Sequence, residues 1–386
     1  MIAPMTRDGL TVIDADGHVQ EPSDLWERYI DPAYAEFAPR CDATRTDNLF
    51  SVDGYTMPRM FVPAVGRTDY RRSLVGQWNA RFAGQFALRD AGFGPASYLE
   101  ELEREGIDRM VLFPSRGLYA AALGQMDGGL SAAICRAYND WLAEFCSADP
   151  HRLVAVALLA LHDPAAAAAE ARRAVGTLGM RAAMVRPNPC EGRNLEDPAH
   201  DVVWRALEEL GAALAVHEGS GSWMPAYGDR YPGSYLAQHA MSHPMEQMGA
   251  VYALTVGGIL ERHPRLRVAI LEAGATWLPY WLHRLDEHVE QLQDVPSETG
   301  WLSRLPSSAF RAQCWISCEP DEPNIRALID TVGADRLLWA SDYPHPDCHY
   351  PGMVDHLWKG AGANGLSREE LHHWAGGNAA DVYGLT

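Results

Sequence analysis

Short runs of apolar residues recur along the chain, and most are separated by stretches with the spacing of amphipathic helices. Eight runs have the length and composition of buried strands, at residues 10–15, 109–113, 153–159, 180–185, 213–216, 266–271, 313–317 and 337–340. Helical patterns lie between them, including residues 164–176, 198–210, 245–262 and 277–293. Apolar strands that alternate with helices are typical of a parallel sheet covered on both faces. The pattern predicts an α/β fold, a single (β/α)₈ barrel spanning residues 1–386.

The gap between the first two predicted strands is much longer than the others, at roughly 90 residues. Within it, residues 42–92 are rich in Arg, Gly, Pro and Asp. Loops of this length are usually functional or mobile. Aromatic residues such as Phe50, Tyr55 and Trp78 give this insertion apolar surface to bury. We therefore expect an ordered cap, as a lid or a dimer contact at the barrel mouth, with a disordered insertion as the alternative.

The charge balance narrows the classes of partner. The 386 residues include 32 basic and 51 acidic side chains, a net charge of −19. Nucleic acids and anionic membranes are bound by clustered Lys and Arg, so neither is an expected partner. The sequence shows no apolar run of membrane-spanning length, and residues 1–8 lack the apolar core of a signal peptide. Seven dispersed cysteines do not resemble a disulfide framework. We expect a cytoplasmic protein that acts on a small molecule.

Residue types that bind metals follow three of the predicted strands. Asp16 and His18 come after the first strand with a spacing of two, His217 follows the fifth and Asp342 follows the eighth. Residues two apart in a strand face the same side, and the carboxyl ends of parallel strands meet at one end of a barrel. These four side chains are therefore expected to converge. A polar turn after the first strand, without a metal, is the alternative for Asp16 and His18.

Two carboxylates and two imidazoles make a mixed oxygen and nitrogen site suited to Zn²⁺, with Mn²⁺ as the alternative. The expected cofactor is one divalent metal ion where these strand ends meet. A metal of this kind lowers the pKa of bound water towards about 7. Asp342 would then accept the proton as water attacks a substrate.

Five segments together resemble the amidohydrolase superfamily, and most closely its branch related to aminocarboxymuconate-semialdehyde decarboxylase. They are DADGH at 14–18, HE at 217–218, GGILERHPRL at 257–266, WASDYPHP at 339–346 and GGNAA at 376–380. The resemblance extends from about residue 10 to 385 and is weakest in the 42–92 insertion. It implies a homodimeric barrel enzyme with metal ligands on its first, fifth and eighth strands. The residues that match these ligands are Asp16 and His18, His217, and Asp342, so we expect these four to hold the metal ion.

The chain departs from the family pattern on two strands. The first strand of the family carries His-x-His, or Glu-x-His in some decarboxylases, where this chain has Asp16 and His18. The sixth strand of the decarboxylases ends in His-x-Gly-Gly, whereas Glu272 stands nearest that position here. Either Glu272 or His243 can take over the acid–base work of the missing histidine. His243 precedes Pro244 at the start of the predicted helix 245–262, so a helix-capping role is its alternative.

The missing histidine favours hydrolysis over decarboxylation, because a decarboxylase needs an acid that protonates carbon. The sequence thus predicts a metal-dependent hydrolase that uses metal-activated water on a small amide, lactone or related carbonyl compound. The catalytic candidates are Asp342, His243 and Glu272. The first alternative is a metal-dependent non-oxidative decarboxylase of a small unsaturated or aromatic acid. A metal-binding scaffold without activity is the second.

Four further residues are candidates for substrate binding. Arg186 follows the fourth predicted strand and Arg116 the second, where a cation can meet an acidic substrate. A salt bridge to one of the many acidic residues is the alternative for each arginine. Glu21, which follows the first family segment, and His345, which lies in the fourth, are the other two candidates.

Overall fold

The structure, a computed structural model, describes residues 7–41, 50–57, 92–219, 221–232, 234–345 and 348–385. In these ranges the strands are β1 Ile13–His18, β2 Arg40–Cys41, β3 Phe50–Val52, β4 Tyr55–Met57, β5 Arg109–Phe113, β6 Leu153–Leu158, β7 Ala182–Val185, β8 Ala213–His217, β9 Val268–Leu271, β10 Cys314–Ser317 and β11 Leu337–Leu338. The longer α-helices are Pro95–Glu105, Gly128–Cys146, Pro164–Gly176, Asp201–Leu210, Tyr235–Leu254, Leu278–Gln291, Pro306–Gln313, Ile325–Val332 and Met353–Ala363. Shorter ones are Leu25–Tyr29, Gly117–Ala120, Ile259–Arg262, Pro296–Thr299, Arg368–His372 and Asn378–Tyr383.

One parallel sheet forms the centre of the molecule. It contains β1 and β5 to β11, in the order of the chain. The backbone N–H of Ala15 donates to the carbonyl of Trp339 at 2.9 Å, and that of Asp342 donates to Asp16 at 3.0 Å. These bonds join the first strand to the continuation of the last, so the sheet closes. The predicted α/β barrel is confirmed, and each predicted strand overlaps an observed one.

The first strand differs from its prediction, because it spans Ile13–His18 rather than residues 10–15. The prediction ended where polar residues began. Inside the barrel these residues have polar partners: the carboxylate of Asp14 accepts hydrogen bonds from the backbone N–H and the hydroxyl of Ser341. Asp16 and His18 therefore lie within the strand, not beyond it.

Between Asp14 and Gly17 the pairing of β1 with β5 shifts register, as at a β-bulge. A β-carbon on Gly17 would lie 2.6 Å from Cγ of Met110. The glycine thus permits close packing of β1 against its neighbour beside the metal-binding candidates. Bulges are common next to active sites, where they redirect side chains.

The helix before β9 also differs from its prediction. Instead of one helix at 245–262, Tyr235–Leu254 is followed by the short helix Ile259–Arg262. Pro244 lies inside the longer helix. Proline has no N–H for the carbonyl one turn earlier, which is why the sequence suggested a helix start there. His243 is consequently a mid-helix residue, so the capping role proposed for it is wrong.

A small antiparallel sheet, β2–β3–β4, lies outside the barrel. The ring of Phe50 stacks on Trp26 at 5.9 Å, and the indole N–H of Trp223 donates to the carbonyl of Thr56 at 3.0 Å. Residues 42–49 and 58–91 of the expected cap lie outside the described residues, so the lid stays a prediction. Within the described ranges, no helix combines the length and apolar character needed to cross a membrane.

Candidate metal centre and active site

Three barrel strands bring the four predicted metal ligands together. Asp16 and His18 come from the end of β1, His217 is the last residue of β8, and Asp342 follows β11. Oδ1 of Asp16 lies 3.6 Å from Nε2 of His18 and 3.3 Å from Nε2 of His217. Nε2 of His18 lies 3.2 Å from Oδ1 of Asp342. The four side chains thus share one site at the carboxyl ends of the strands.

Both imidazoles are oriented for metal binding by a backbone carbonyl. Nδ1 of His18 lies 2.8 Å from the carbonyl of Pro114, and Nδ1 of His217 lies 2.8 Å from that of Glu218. A carbonyl only accepts hydrogen bonds, so Nδ1 carries the hydrogen in each ring. In the neutral tautomer, the Nε2 lone pair then faces Asp16. A metal-binding histidine is commonly held in this way by its other nitrogen.

The facing atoms of Asp16, His18 and His217 are buried without a hydrogen-bond partner. They are Oδ1 of the aspartate and Nε2 of each histidine. An unsatisfied buried polar atom costs about 1–3 kcal/mol. Burial also raises the pKa of Asp16 to about 7 and lowers that of His217 well below its usual value. A divalent cation would satisfy all three atoms and stabilise the carboxylate, so these residues fit one metal ion.

Asp342 is the inner member of a hydrogen-bonded chain that leads away from this site. Its Oδ1 lies 2.7 Å from Nδ1 of His345, and Nε2 of His345 lies 2.8 Å from the hydroxyl of Ser115. Burial acts to raise the pKa of Asp342, but His345 and His18 together hold it well below its usual range. Although burial acts in the opposite direction, Asp342 raises the pKa of His345. The pair can therefore hold and pass a proton.

Glu272 follows β9 directly, and its Oε2 lies 3.1 Å from Nε2 of His217. Its backbone carbonyl accepts a hydrogen bond from Nδ1 of His243 at 2.7 Å. Burial lowers the pKa of His243 to about 4, so its ring is neutral at physiological pH. The structure thus brings both candidate replacements for the sixth-strand histidine to the same side of the site.

A cavity of about 330 Å³ opens onto these side chains. Asp16, Glu272 and Asp342 line its inner part, and His239 and His243 line one wall. Sequence reasoning missed His239, although it precedes His243 by four residues and thus lies on the same helix face. His349 and His356 also line the cavity. Together with Asp321 they form a second group of possible metal ligands, whose ligand atoms lie within 4.8 Å of one another.

Glu21 holds a loop rather than facing the cavity. Its Oε1 accepts hydrogen bonds from the backbone N–H groups of Ser115 and Gly117, at 3.0 and 2.9 Å. Its Oε2 accepts one from the backbone N–H of Arg116 at 2.8 Å. The carboxylate is buried and shared by three consecutive amides, so its contacts do not support the substrate-binding role expected for it.

The contacts of Arg186 favour its salt-bridge alternative over substrate binding. The buried guanidinium of Arg186 donates to Oε1 of Glu218 at 3.1 Å and to the carbonyls of Gly219 and Leu118. Glu218 is itself fully buried, and burial raises its pKa although Arg186 opposes the shift. Arg116 donates from Nη1 to the backbone carbonyl of Glu21, which is not a salt bridge, so its substrate-binding role stays a prediction.

Asp14 was also missed as a residue of the site. It is fully buried and accepts two hydrogen bonds from Ser341. Because Ser341 directly precedes Asp342 in the chain, these bonds help to position Asp342. Its spacing of two from Asp16 was a usable signal, since alternate residues of a strand share a face. His345, expected to bind substrate, instead stacks on His18 at 4.0 Å and bonds to Asp342.

Comparison with known proteins finds a matching family profile and sequence relatives. The sequence profile of the amidohydrolase family matches residues 13–385. The chain is 24% identical over 293 residues to 2-amino-3-carboxymuconate-6-semialdehyde decarboxylase of Dictyostelium discoideum, covering 75% of this chain and 77% of the relative. It is 28% identical over 292 residues to gamma-resorcylate decarboxylase of Rhizobium sp., covering 68% of this chain and 85% of the relative.

Solved structures share the fold. An amidohydrolase of Mycobacterium avium subsp. paratuberculosis superimposes with a TM-score of 0.78 at 21% identity, covering 97% of this chain and 99% of the other. A 5-carboxyvanillate decarboxylase of Novosphingobium aromaticivorans, complexed with manganese, gives a TM-score of 0.66 at 19% identity. The match covers 100% of this chain and 99% of the other.

Proposed function

Because the chain belongs to the amidohydrolase family, we propose that it is a metal-dependent non-oxidative decarboxylase of a small aromatic or unsaturated acid. The observation that carries this proposal is the named activity of its relatives, which are decarboxylases matched over two thirds or more of this chain. The acidic residue Asp16 on the first strand supports it, since the resemblance gives some decarboxylases a carboxylate there. This reaction was the alternative to hydrolysis at the sequence level.

The cavity suits a small acid. Its volume of about 330 Å³ is at the lower end of the range for ligand pockets, about 300–1,000 Å³. No arginine or lysine is among the described residues that line it. Metal bound at Asp16, His18 and His217 would supply the positive charge that holds the substrate's acid group and neighbouring oxygen.

Loss of CO₂ breaks a carbon–carbon bond and leaves the electron pair on carbon, which must then take up a proton. Asp342 lies at the cavity, and its Oδ1 is hydrogen-bonded to Nδ1 of His345. His345 can pass a proton to Asp342, and Asp342 can deliver it to carbon. The hydroxyl of Ser115 is hydrogen-bonded to Nε2 of His345 and so fixes the orientation of the ring. A general acid of this kind contributes typically 10²–10⁴-fold in rate.

Hydrolysis remains a second candidate because of Glu272. A carboxylate within 3.1 Å of Nε2 of His217 can accept a proton from an attacking water molecule. The sixth-strand histidine of the decarboxylases is absent from this position in the sequence. Hydrolysis of a small amide or lactone would use Glu272 or Asp342 as the base.

The test is a substrate screen with the metal-loaded protein. One panel contains the acids named for similar proteins: 2,6-dihydroxybenzoate, 5-carboxyvanillate, 6-methylsalicylate and 2-amino-3-carboxymuconate-6-semialdehyde. The other contains small amides and lactones. We expect CO₂ release from the acid panel, and none from a His18→Ala/His217→Ala variant. Turnover confined to the amides and lactones would overturn the proposal in favour of hydrolysis.

A further inference from the structure

We propose that Glu272 is a fifth protein ligand of the metal centre, bound through Oε2, in addition to Asp16, His18, His217 and Asp342. This inference rests on the proposed metal dependence of the enzyme. It assigns to Glu272 a role different from that of a general base. The site would then contain three carboxylates and two imidazoles.

The donor atoms form a continuous series with the spacing of metal ligands. The series runs from Oε2 of Glu272 through Nε2 of His217, Oδ1 of Asp16 and Nε2 of His18 to Oδ1 of Asp342. The successive separations are 3.1, 3.3, 3.6 and 3.2 Å. At metal–ligand distances of about 2.1 Å, neighbouring donors are about 3.0 Å apart in an octahedron and about 3.4 Å apart in a tetrahedron. Oε2 of Glu272 therefore lies at ligand spacing from Nε2 of His217, next to the group formed by Asp16, His18 and His217, whose ligand atoms all lie within 4.8 Å of one another.

The backbone of Glu272 matches that of Asp342. Glu272 has a φ of 52° and Asp342 a φ of 57°, both in the left-handed region. Residues other than glycine adopt this conformation at a cost on the order of 1–3 kcal/mol, and such residues cluster at functional sites. Asp342, which matches a family metal ligand, and Glu272 thus share one unusual backbone conformation.

Two side chains hold Glu272 in this conformation. Its backbone N–H donates to the hydroxyl of Ser317 at 3.2 Å, and its carbonyl accepts from Nδ1 of His243 at 2.7 Å. His243 therefore acts on the site by positioning Glu272. Oε2 of the Glu272 carboxylate is thereby directed at Nε2 of His217.

A hydrogen bond alone does not account for the contacts of His217. Oε2 of Glu272 and Oδ1 of Asp16 both approach its Nε2, at 3.1 and 3.3 Å. The hydrogen of this ring is on Nδ1, which donates to the carbonyl of Glu218, so Nε2 presents a lone pair to both oxygens. A lone pair does not attract a carboxylate oxygen, whereas a cation bound at Nε2 attracts both.

The additional carboxylate changes the expected metal preference. Carboxylate ligands suit harder cations such as Mn²⁺, whereas imidazole-rich sites suit Zn²⁺. With three carboxylates, the centre should favour Mn²⁺ more than a four-ligand site would. Neutralising Glu272 should consequently weaken Mn²⁺ binding more than Zn²⁺ binding.

The experiment measures Mn²⁺ and Zn²⁺ binding to the metal-stripped full chain by equilibrium dialysis, with electron paramagnetic resonance of bound Mn²⁺ as a second readout. Every protein carries His356→Ala, which removes the outer group of Asp321, His349 and His356 from the metal count. We expect Glu272→Gln to weaken Mn²⁺ binding at least about tenfold, to lower the preference for Mn²⁺ over Zn²⁺, and to change the resonance spectrum. Glu319→Gln is the matched control, because Glu319 is an exposed carboxylate that lines the same cavity.

Unchanged Mn²⁺ affinity and spectrum in Glu272→Gln would overturn the inference. An equal loss in Glu319→Gln would also overturn it, since long-range charge alone would then explain the effect. No substrate enters these measurements, so the outcome is independent of the proposed reaction. Decarboxylation accompanied by unaltered metal binding in Glu272→Gln would refute only the ligand assignment. The expected binding result without decarboxylation would refute only the proposed function.

Discussion

Nε2 of His18, on the first barrel strand, lies 3.2 Å from Oδ1 of Asp342, which follows the last. The contact crosses the seam where the barrel closes, next to the backbone bond from Asp342 to Asp16. The candidate metal centre is therefore assembled only when the first and last strands pair. Its ligands are also placed by the fold rather than by a single loop.

His18 and His217 are the first test of the metal centre. Replacing either by alanine removes an Nε2 atom from the site, and we expect the metal content of the purified protein to fall strongly. Elemental analysis measures it, with His283→Ala as the control because His283 is exposed on the helix Leu278–Gln291. Wild-type metal content in both site variants would show that the metal is bound elsewhere.

His345 distinguishes a proton-transfer role from a substrate-binding role. In His345→Gln the relay to Asp342 is broken while the predicted ligands remain. We expect kcat to fall about 10²–10⁴-fold, with KM and metal content little changed. Steady-state kinetics on an acid that the wild type decarboxylates provides the measurement, again with an exposed control, His283→Gln. A rise in KM with kcat preserved would instead return His345 to substrate binding.

Glu21 should contribute to stability more than to catalysis. Its carboxylate accepts hydrogen bonds from three backbone amides. Hydrogen bonds to a charged group contribute about 1.5–3 kcal/mol each. Because glutamine has only one acceptor oxygen, we expect Glu21→Gln to lower the free energy of unfolding by about 2–4 kcal/mol. Urea unfolding tests this against Glu290→Gln, an exposed carboxylate. Equal stability of the two variants would contradict the loop-holding role.

Glu246 should make stability depend on pH. Burial raises its pKa from 4.5 to about 7, although the backbone N–H of Tyr227 donates to it at 2.7 Å. Between pH 4.5 and about pH 7, Glu246 keeps its proton in the folded chain and loses it in the unfolded chain. The free energy of unfolding therefore falls as pH rises through this range. Above it, the ionised carboxylate costs on the order of 3 kcal/mol.

Glu246→Gln cannot ionise and should lose this component of the pH dependence. The free energy of unfolding of the variant minus that of the wild type should therefore increase by about 3 kcal/mol between pH 4.5 and pH 8. Urea titrations at a series of pH values measure the difference. Parallel stability curves for the variant and the wild type would mean that Glu246 titrates normally in the folded protein.

Much of the fold could be predicted from the sequence because the barrel strands are apolar on both faces. The convergence of Asp16, His18, His217 and Asp342 followed from the same pattern, since each lies at a strand end. The end of β1 was misplaced because Asp14, Asp16 and His18 look like a polar turn. Only the closed barrel supplies Ser341 as the hydrogen-bond partner that lets the strand continue.

The roles of Glu21 and Arg186 could not be predicted for a different reason. Each depends on groups distant in sequence: the loop amides at 115–117 for Glu21, and Glu218 for Arg186. Sequence position places both residues near the barrel mouth but does not show which way they face. His243 was misjudged because Pro244 usually marks a helix start, whereas here the helix continues through it.

The most direct test of the central claim is the fate of solvent atoms in the organic product. The metal-loaded protein is allowed to act in deuterium oxide labelled with ¹⁸O, on whichever compound from the two panels it turns over. The account predicts that CO₂ is released, and that the product carries one deuterium at the carbon that held the carboxylate and no ¹⁸O. A product that contains solvent ¹⁸O and forms without CO₂ would contradict it and establish hydrolysis.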